Sequence, residues 1–449
     1  MVRRVKDVQL SYKTRIYPNP EQEEVLWALS DRCRLVYNFA LQERQAEWDV
    51  NRRSISYNKQ QNDLIYLKTK YYYYDQVYSK VLQTTLQKLD GAYSSFIALW
   101  KNGDKLARPP NNRGKEYFFT MNYNQSGFKI KNGKIRFSQF YNEDVNLEFD
   151  ITISTKLGKI KQVELFEDDN GKYYVSITHE VESPDHIDNE VYQAWDLGVT
   201  KQTAVNSDGK FLDIKNIRPD LYWKKSLSTL QSRRDHCKKK DSRKKKCKTN
   251  SKNWSRFNNL KRKCEIKCSN QLKDFQHKMS KKIVNNTKAN TIFVGDLDVK
   301  NMTKSKQANR NLNRSTQSTG YLARLTQFLT YKAEKIGKKV IKIDESYTSQ
   351  VCCKCGAVHY MPINQRVYNC DCGNIMDRDR NSANDIMMLS LSQNALWTSY
   401  QKFSDGLLKT VQLEILSPEK VLSIFGNLRK TGLDIIPVYS QETPSARVG

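Results

Sequence analysis

No run of apolar residues in this chain approaches the ~20 needed to cross a bilayer, and the start MVRRVKDVQL lacks the apolar stretch of a secretory signal. Both absences direct expectation away from a membrane and toward the cytoplasm. Acidic residues are also in short supply. Against 76 Lys and Arg stand only 48 Asp and Glu, a net charge of +28 over 449 residues. A field of that sign attracts polyanions, of which nucleic acid is the commonest, and a merely well-solvated surface needs no such imbalance. Histidine is scarce, and His179, His186, His236 and His277 have no acid–nucleophile arrangement around them, so no histidine site is indicated. The ten cysteines do not form a disulfide framework pattern; four cluster at metal-ligand spacing, which suits a reducing compartment.

What is present changes character twice along the chain. Val8, Leu10, Tyr12 and Ile16 alternate as in a half-buried strand, which Pro18-Asn-Pro20 ends. Helical spacing follows in Val25, Leu26, Leu29, Cys33, Val36 and Tyr37, and again in the stripe Leu82, Leu86, Leu89, Tyr93, Phe96 and Trp100. Between them Ser56–Lys80 is dense in Tyr and Lys, a composition suited equally to bundle packing and to stacking on bases beside phosphates. After Arg108-Pro-Pro110 the pattern turns to short strands, with hairpin signals at Asn132-Gly133 and Asn170-Gly171. These predict a mostly β module over about Tyr117–Val181, joined by the first strand into one barrel, and then a polar linker over Ser183–Glu190.

A third plan begins at Val191. VYQAWDLGV reads as a buried strand and Asp208-Gly209 as a hairpin turn. The helical stretch Trp223–Cys268 then carries 18 Lys and Arg with three Asp and Glu. A strand over Thr291–Val299, a helix around Tyr321–Ile336 and a strand over Lys338–Glu345 follow, and a last helix starts near Asp379. That order is the one of an RNase H-like α/β domain. Ala395–Gly449 shows weak periodicity and is expected to be a tail, with QETPSARVG disordered.

Two constellations carry chemistry. Cys352-x-x-Cys355 and Cys370-x-Cys372, each pair followed by a glycine, have the spacing of a closed, structural Zn²⁺ site. Cys353 and His359 are possible substitutes, although adjacent Cys352 and Cys353 cannot both ligate comfortably. Cys237, Cys247, Cys264 and Cys268 lack a comparable pattern, and Cys33 is expected in the core. The second constellation is acidic. Phosphodiester hydrolysis by two Mg²⁺ or Mn²⁺ ions needs carboxylates converging from separate elements. Asp196, at the end of the first strand of the third segment, is the natural central ligand, with Gly198 turning the chain away behind it. Asp379 is the second candidate, and Asp377 is expected to cap the helix on which Asp379 sits.

Here the residues resemble a known family. AWDLGVTKQTAVNSDGKF, VGDLDVKNM, YKAEKIGKKVIKIDESYTSQVCCKCG and CDCGNIMDRDRNSANDI together are similar to the RuvC nuclease core of transposon-encoded TnpB proteins, and TRIYPNPEQEEVLWALSDRCRLVYNFALQER is similar to that family's start. The likeness covers residues ~8–390 in order. It implies a multidomain α+β protein: a split β-barrel wedge domain (1–20 and 105–185) with a helical recognition insert (21–104), and an RNase H-like RuvC domain (191–345 and 376–395). The latter would carry a basic helical insert (218–290) and a zinc-binding target-nucleic-acid insert (346–375), with a tail over 396–449. It implies RNA-guided endonuclease activity on double-stranded DNA beside a short flanking motif, a guide RNA and that DNA as partners, and a relationship to Fanzor proteins and miniature type V CRISPR effectors.

One departure bears on activity. The family usually has Glu in the second RuvC strand, where this chain has Gly295-Asp296-Leu297. Glu345, at the end of the next parallel strand, is the favoured replacement, because neighbouring strands lie only about 4.8 Å apart and Gly295 leaves room. Asp296 as ligand, and an inactive RNA-guided DNA-binding repressor, stay open. A DNA-only transposase with an Asp/Asp/Glu triad is the remaining rival.

Overall fold

A computed structural model describes residues 6–154, 156–241, 251–296, 322–362 and 365–431. Among these are two compact units, Asp7–Glu182 and the chain from Ser183 onward together with the first residues. The division falls at the start of the linker expected over Ser183–Glu190.

The first unit combines β strands with three helices. Strand β1 (Lys6–Arg15) alternates buried and open side chains as expected. Helix α1 (Pro20–Asn51) starts where Pro20 fits the first helical position and Asn19 caps it, its side chain accepting from Gln22 N while Gln22 reaches back. Val25, Leu26, Leu29, Cys33, Val36 and Tyr37 are all buried, so the helical stripe is real. Helix α2 (Tyr57–Lys70) and helix α3 (Ser79–Lys101) complete the bundle. The α3 stripe is core only as far as Leu89, since Trp100 is 66% exposed. In the tyrosine run Tyr74 is buried in the bundle core, whereas Tyr66 and Tyr72 lie open.

Two antiparallel sheets complete this unit. One has the order β1-β7-β6-β2, with β2 (Met121–Asn124), β6 (Lys159–Glu167) and β7 (Tyr173–Ser183); the other joins β3 (Phe128–Lys131), β4 (Lys134–Phe137) and β5 (Leu147–Asp150). Asn132 and Gly133, both at positive φ (50° and 71°), form the β3–β4 turn that Asn-Gly predicted. Among the described residues the ladders remain two sheets with a shared core and do not close into a single ring.

The second unit is built on a five-stranded sheet of order β10-β9-β8-β11-β12. Its strands are β8 (Tyr192–Leu197), β9 (Lys201–Asn206), β10 (Phe211–Lys215), β11 (Thr291–Gly295) and β12 (Lys339–Ile343). The first three form an antiparallel meander, and β11 and β12 add in parallel to β8. Period-two alternation sends Tyr192 and Ala194 to one face and Trp195 and Leu197 to the other. The Trp195 face packs on α5 (Lys252–Asn286) and α6 (Ala323–Lys335) through Leu272, Met279, Ile283, Leu325 and Leu329. Preceding α5 is its hairpin partner α4 (Pro219–Asp241), and together they carry most of the basic stretch. Arg234 lies 5.7 Å over Trp254 and Lys267 5.9 Å over Trp223, so cations cover the hairpin's aromatic seam.

The Tyr192 face packs on α7 (Arg378–Gln393), which is buried from Asn381 to Ser392. What covers α7 corrects the expectation of a tail. Residues 397–431 form α8 (Trp397–Val411) and α9 (Pro418–Thr431), which bury Tyr400, Phe403 and Leu407, and Val421, Phe425 and Leu428, in the same core. Each stripe has only three residues, which is why the periodicity looked weak. The β9–β10 hairpin meets α8 at two glycines: a Cβ on Gly209 would lie 2.5 Å from Gly406 C, and one on Gly406 2.6 Å from Asp208 C. The QETPSARVG segment and residues 297–299 lie outside the described residues. No described helix is long and apolar enough to cross a membrane.

Candidate active site

The C-terminal ends of β8, β11 and β12 lie side by side. Their parallel registers, Trp195↔Val294 and Gly295↔Ile343, put Asp196 next to Gly295 and leave Glu345 two residues beyond β12. From there the Glu345 side chain folds over Gly295. A Cβ at position 295 would sit 1.5 Å from its Oε2, 2.6 Å from its Cδ and 3.2 Å from its Cβ. The room that glycine leaves is therefore filled by the carboxyl of the neighbouring segment. Thr348 holds the backbone there, its N–H and its hydroxyl both donating to Glu345 O at 3.1 and 2.9 Å.

Asp379 sits on the first turn of α7. Asp377 caps that helix, as expected, its Oδ1 accepting from the N–H groups of Asp379 (2.9 Å) and Arg380 (3.3 Å). Lys201 stands among three carboxylates, with Nζ 2.7 Å from Asp377, 3.4 Å from Asp379 and 3.8 Å from Asp213. Arg380 clamps the second oxygen of Asp213 with Nε at 3.1 Å and Nη2 at 2.7 Å. The turn bearing Asp379 is thus tied to β9 and β10 by two cations. Burial works against the Lys201 charge, but the bond to Asp377 and the charges of Asp379, Asp377 and Asp213 raise its pKa overall.

Electrostatics link Asp196 to each of the other two, since Asp379 acts on it and it acts on Glu345. Burial, and then the charge of Asp379, push its pKa up to about 7, against the opposing effects of Arg378, the Ser382 hydroxyl and Lys201. Burial also raises Glu345 well above the ordinary carboxyl range, followed by the charges of Asp196, Asp296 and Asp344. Glu345 Oε2 is enclosed and has no hydrogen-bond partner. An enclosed carboxyl oxygen without a donor is costly. A hard divalent cation would satisfy such an oxygen and offset the repulsion among the carboxylates, so Asp196, Glu345 and Asp379 fit a metal by donor type, although among the described residues only the four cysteines below bring their ligand atoms within 4.8 Å of one another. Asp296 points elsewhere: its side chain is 55% exposed and paired with Lys342 at 3.1 Å.

The cysteine knuckle occupies the segment between β12 and α7. The sulfurs of Cys352, Cys355, Cys370 and Cys372 all lie within 4.8 Å of one another. Cys352 and Cys372 are 3.7 Å apart and Cys355 and Cys370 3.5 Å. A tetrahedron with ~2.3 Å metal–sulfur bonds has edges of about 3.8 Å, so the shorter second pair still closes a four-thiolate cluster able to hold a metal ion. The small hairpin β13 (Val367–Asn369) and β14 (Ile375–Asp377) carries the returning cysteines. Cys353 faces the other way, into the α7 core, and is not a ligand. His359 Nε2 lies 3.1 Å from Cys370 Sγ, beside the cluster.

Sequence reasoning did not find Lys201, Asp213, Arg378, Arg380 or Ser382. The tight turn at Gly198, where a Cβ would lie 2.6 Å from Lys201 O, was the available signal for Lys201, since it returns β9 beside Asp196.

This combination of a mixed five-stranded sheet, acidic strand ends and a spliced-in four-cysteine knuckle places the chain in the class of mixed α/β multidomain proteins to which Cas12 effectors belong. A cryo-EM structure of a Cas12f1–sgRNA–target DNA complex has the same fold over 85% of this chain and 98% of that one, with a TM-score of 0.56 and 13% identity. Models described as "Helix-turn-helix domain", "Probable transposase" and "Cas12f1-like, TNB domain" match residues 7–53, 175–306 and 323–386. The chain belongs to the TnpB-like family. Among its relatives, a protein named as a candidate RNA-guided DNA endonuclease in Streptomyces pristinaespiralis is 27% identical, covering 87% of this chain and 92% of that one. A second so named, InsQ of Escherichia coli strain K12, is 26% identical over 77% of this chain and 83% of its own.

Proposed function

We infer that the chain is an RNA-guided endonuclease that cuts double-stranded DNA beside a short flanking motif, using one RuvC-like centre with Asp196, Glu345 and Asp379 as ligands of two Mg²⁺ or Mn²⁺ ions. The observation that carries this reading is the Glu345 carboxyl lying in the space over Gly295 with an enclosed, unpartnered oxygen. An inactive site offers no reason to keep such a group there. The sheet order supports the RuvC assignment, and the names of the relatives support a guide RNA and a DNA target.

When bound, the ions would activate a water and stabilise the leaving oxygen of the phosphodiester. The protein's part is placement. Asp196, held by Ser382, would be the central ligand; Glu345 would reach in from beyond β12; and Asp379 would complete the set from α7, its turn fixed by Lys201 and Arg380. Zn²⁺ in the four-cysteine knuckle would be structural, since no ligand position stays open. The α4–α5 hairpin would grip nucleic acid through phosphates, with salt-dependent affinity. By the same reading, residues 1–20 and 105–185 are the wedge domain and 21–104 the recognition domain, and α8 and α9 belong to the nuclease domain.

The test is purification with co-expressed candidate guides, followed by cleavage of a matched plasmid in Mg²⁺. Loss of cutting in Glu345→Ala and its retention in Asp296→Ala are expected. Normal cutting by Glu345→Ala would overturn the ligand assignment, and no cutting by the unaltered protein would favour the silent DNA binder. A preparation free of RNA that still cuts would favour the DNA-only transposase.

A further inference from the structure

Beneath the four-cysteine knuckle runs a buried chain of amides. Asn381, wholly buried on α7, lies two residues after Asp379 and one before Ser382. Its Nδ2 donates to Val351 O at 2.7 Å and to Asp385 Oδ2 at 3.2 Å. Its Oδ1 accepts from Cys353 N–H and from Asn374 Nδ2, each at 3.3 Å. Asn374, buried in the returning loop of the knuckle, places the same Nδ2 3.3 Å from Cys352 Sγ. One amide-to-amide bridge thus joins a sulfur of the cysteine cluster to the helical turn that carries Asp379. The next residue, Ser382, bonds the Asp196 carboxyl and lies 2.9 Å from the Thr348 hydroxyl that holds the Glu345 backbone.

Buried amides are costly unless their capacity is used, and a satisfied network is rigid. Asn381 uses both its N–H groups and both lone-pair directions of its oxygen. Any shift of the knuckle against α7 would break several of these bonds together. The turn that presents Asp379 therefore has little freedom of its own while the four sulfurs are held in place. Groups that hydrogen-bond a metal's ligands are known to tune metal sites, and here the same groups continue into a second acidic centre.

We propose that Asn374 and Asn381 are positioning residues that couple metal occupancy of the four-cysteine knuckle to divalent-ion binding by the carboxylates. A metal ion among the sulfurs fixes Cys352, and through Asn374 and Asn381 it fixes the first turn of α7, setting Asp379 and Ser382. The coupling rests on the carboxylate reading above. It is reciprocal, so a divalent ion among the carboxylates tightens metal retention by the cysteines to the same degree.

The experiment titrates Mn²⁺ into the full chain with its bound RNA, following free Mn²⁺ by electron paramagnetic resonance. It compares the zinc-loaded protein with protein stripped of zinc under reducing conditions. Zinc content is measured in parallel, and circular dichroism confirms that the fold persists. Stripping is expected to weaken Mn²⁺ binding about tenfold in the unaltered protein, and by less than about twofold in Asn374→Ala and Asn381→Ala. Equal Mn²⁺ affinity with and without zinc overturns the coupling, and so does an undiminished ratio in Asn374→Ala. That variant decides alone if Asn381→Ala does not fold, because its turn keeps the Cys370 N–H to Asn374 O bond at 3.1 Å. Absence of any Mn²⁺ binding that Asp196→Ala abolishes would overturn the carboxylate reading itself. Mn²⁺ binding that ignores the knuckle would overturn the coupling alone.

Discussion

Gly295→Ala separates the acidic centre from the fold that carries it. The added methyl would lie 1.5 Å from Glu345 Oε2, and ordinary contact begins at 3.4 Å, so the oxygen must retreat by about 2 Å. The strand itself is not strained by the change, because Gly295 has no positive φ. Alanine in place of glycine inside a strand is worth about 0.5–1 kcal/mol in its favour. A misplacement of ~1 Å at a reacting centre costs on the order of 10²-fold in rate, so Gly295→Ala is expected to cut at least about a hundredfold more slowly, a barrier increase of ~2.7 kcal/mol. Melting temperature should be unchanged or higher. The assay pairs single-turnover cleavage of matched DNA with Mn²⁺ affinity and a thermal melt. Moving the carboxylate to the other strand, in Gly295→Glu combined with Glu345→Ala, should recover part of the lost rate. Cleavage by Gly295→Ala within about threefold of the unaltered rate would refute the idea that glycine is there to admit Glu345.

Other outcomes follow from the same structure. Asp196 has its pKa raised to about 7, chiefly by burial and then by Asp379. The folded metal-free chain therefore holds a proton that the unfolded chain releases near pH ~3.9, and its stability falls as pH rises from about 4 to about 7. Divalent-ion affinity should rise through that same range as the proton is displaced; a flat Mn²⁺ titration between about pH 5.5 and 7.5 would contradict this. The purified chain should carry about one zinc per molecule and lose it in Cys355→Ser, as read by elemental analysis and a lowered melting temperature. Full zinc retention in that variant would place the ion elsewhere. Phe425→Ala, at the centre of the core over α7, should cost about 3–5 kcal/mol in urea unfolding, whereas a true tail would lose almost nothing.

Much of the acidic centre was legible because its signals are local. Cysteine spacing survives any fold, and Gly295 announced an empty place beside the segment that carries Glu345, just past the end of β12. The three parallel strands of the third segment were legible because β-branched and aromatic runs have few other uses. Lys201, Arg380 and Ser382 were not legible, since their value depends on which turn of α7 comes to rest against which end of β9. The α3 stripe misled in its second half: Phe96 and Trp100 keep helical period beyond the point where the bundle covers them. Helices α8 and α9 were missed for the converse reason, with three buried apolar positions each and polar residues between them. Separate ladders in the first unit, in place of a closed ring, reflect hydrogen-bond registers that alternation alone does not set.

Strand β8 is synthesised long before its neighbour β11, and α7 later still. In the sheet, β8 lies between β9 and β11, and its parallel partner arrives only after the whole basic hairpin. Parallel pairing across so long a detour is a late event in folding. A ribosome that has emitted β8 has therefore made one acid of the trio and none of its company. Chains that stop short of Arg378 lack Asp379 altogether, so incomplete products of translation would carry the basic hairpin without the complete acidic trio.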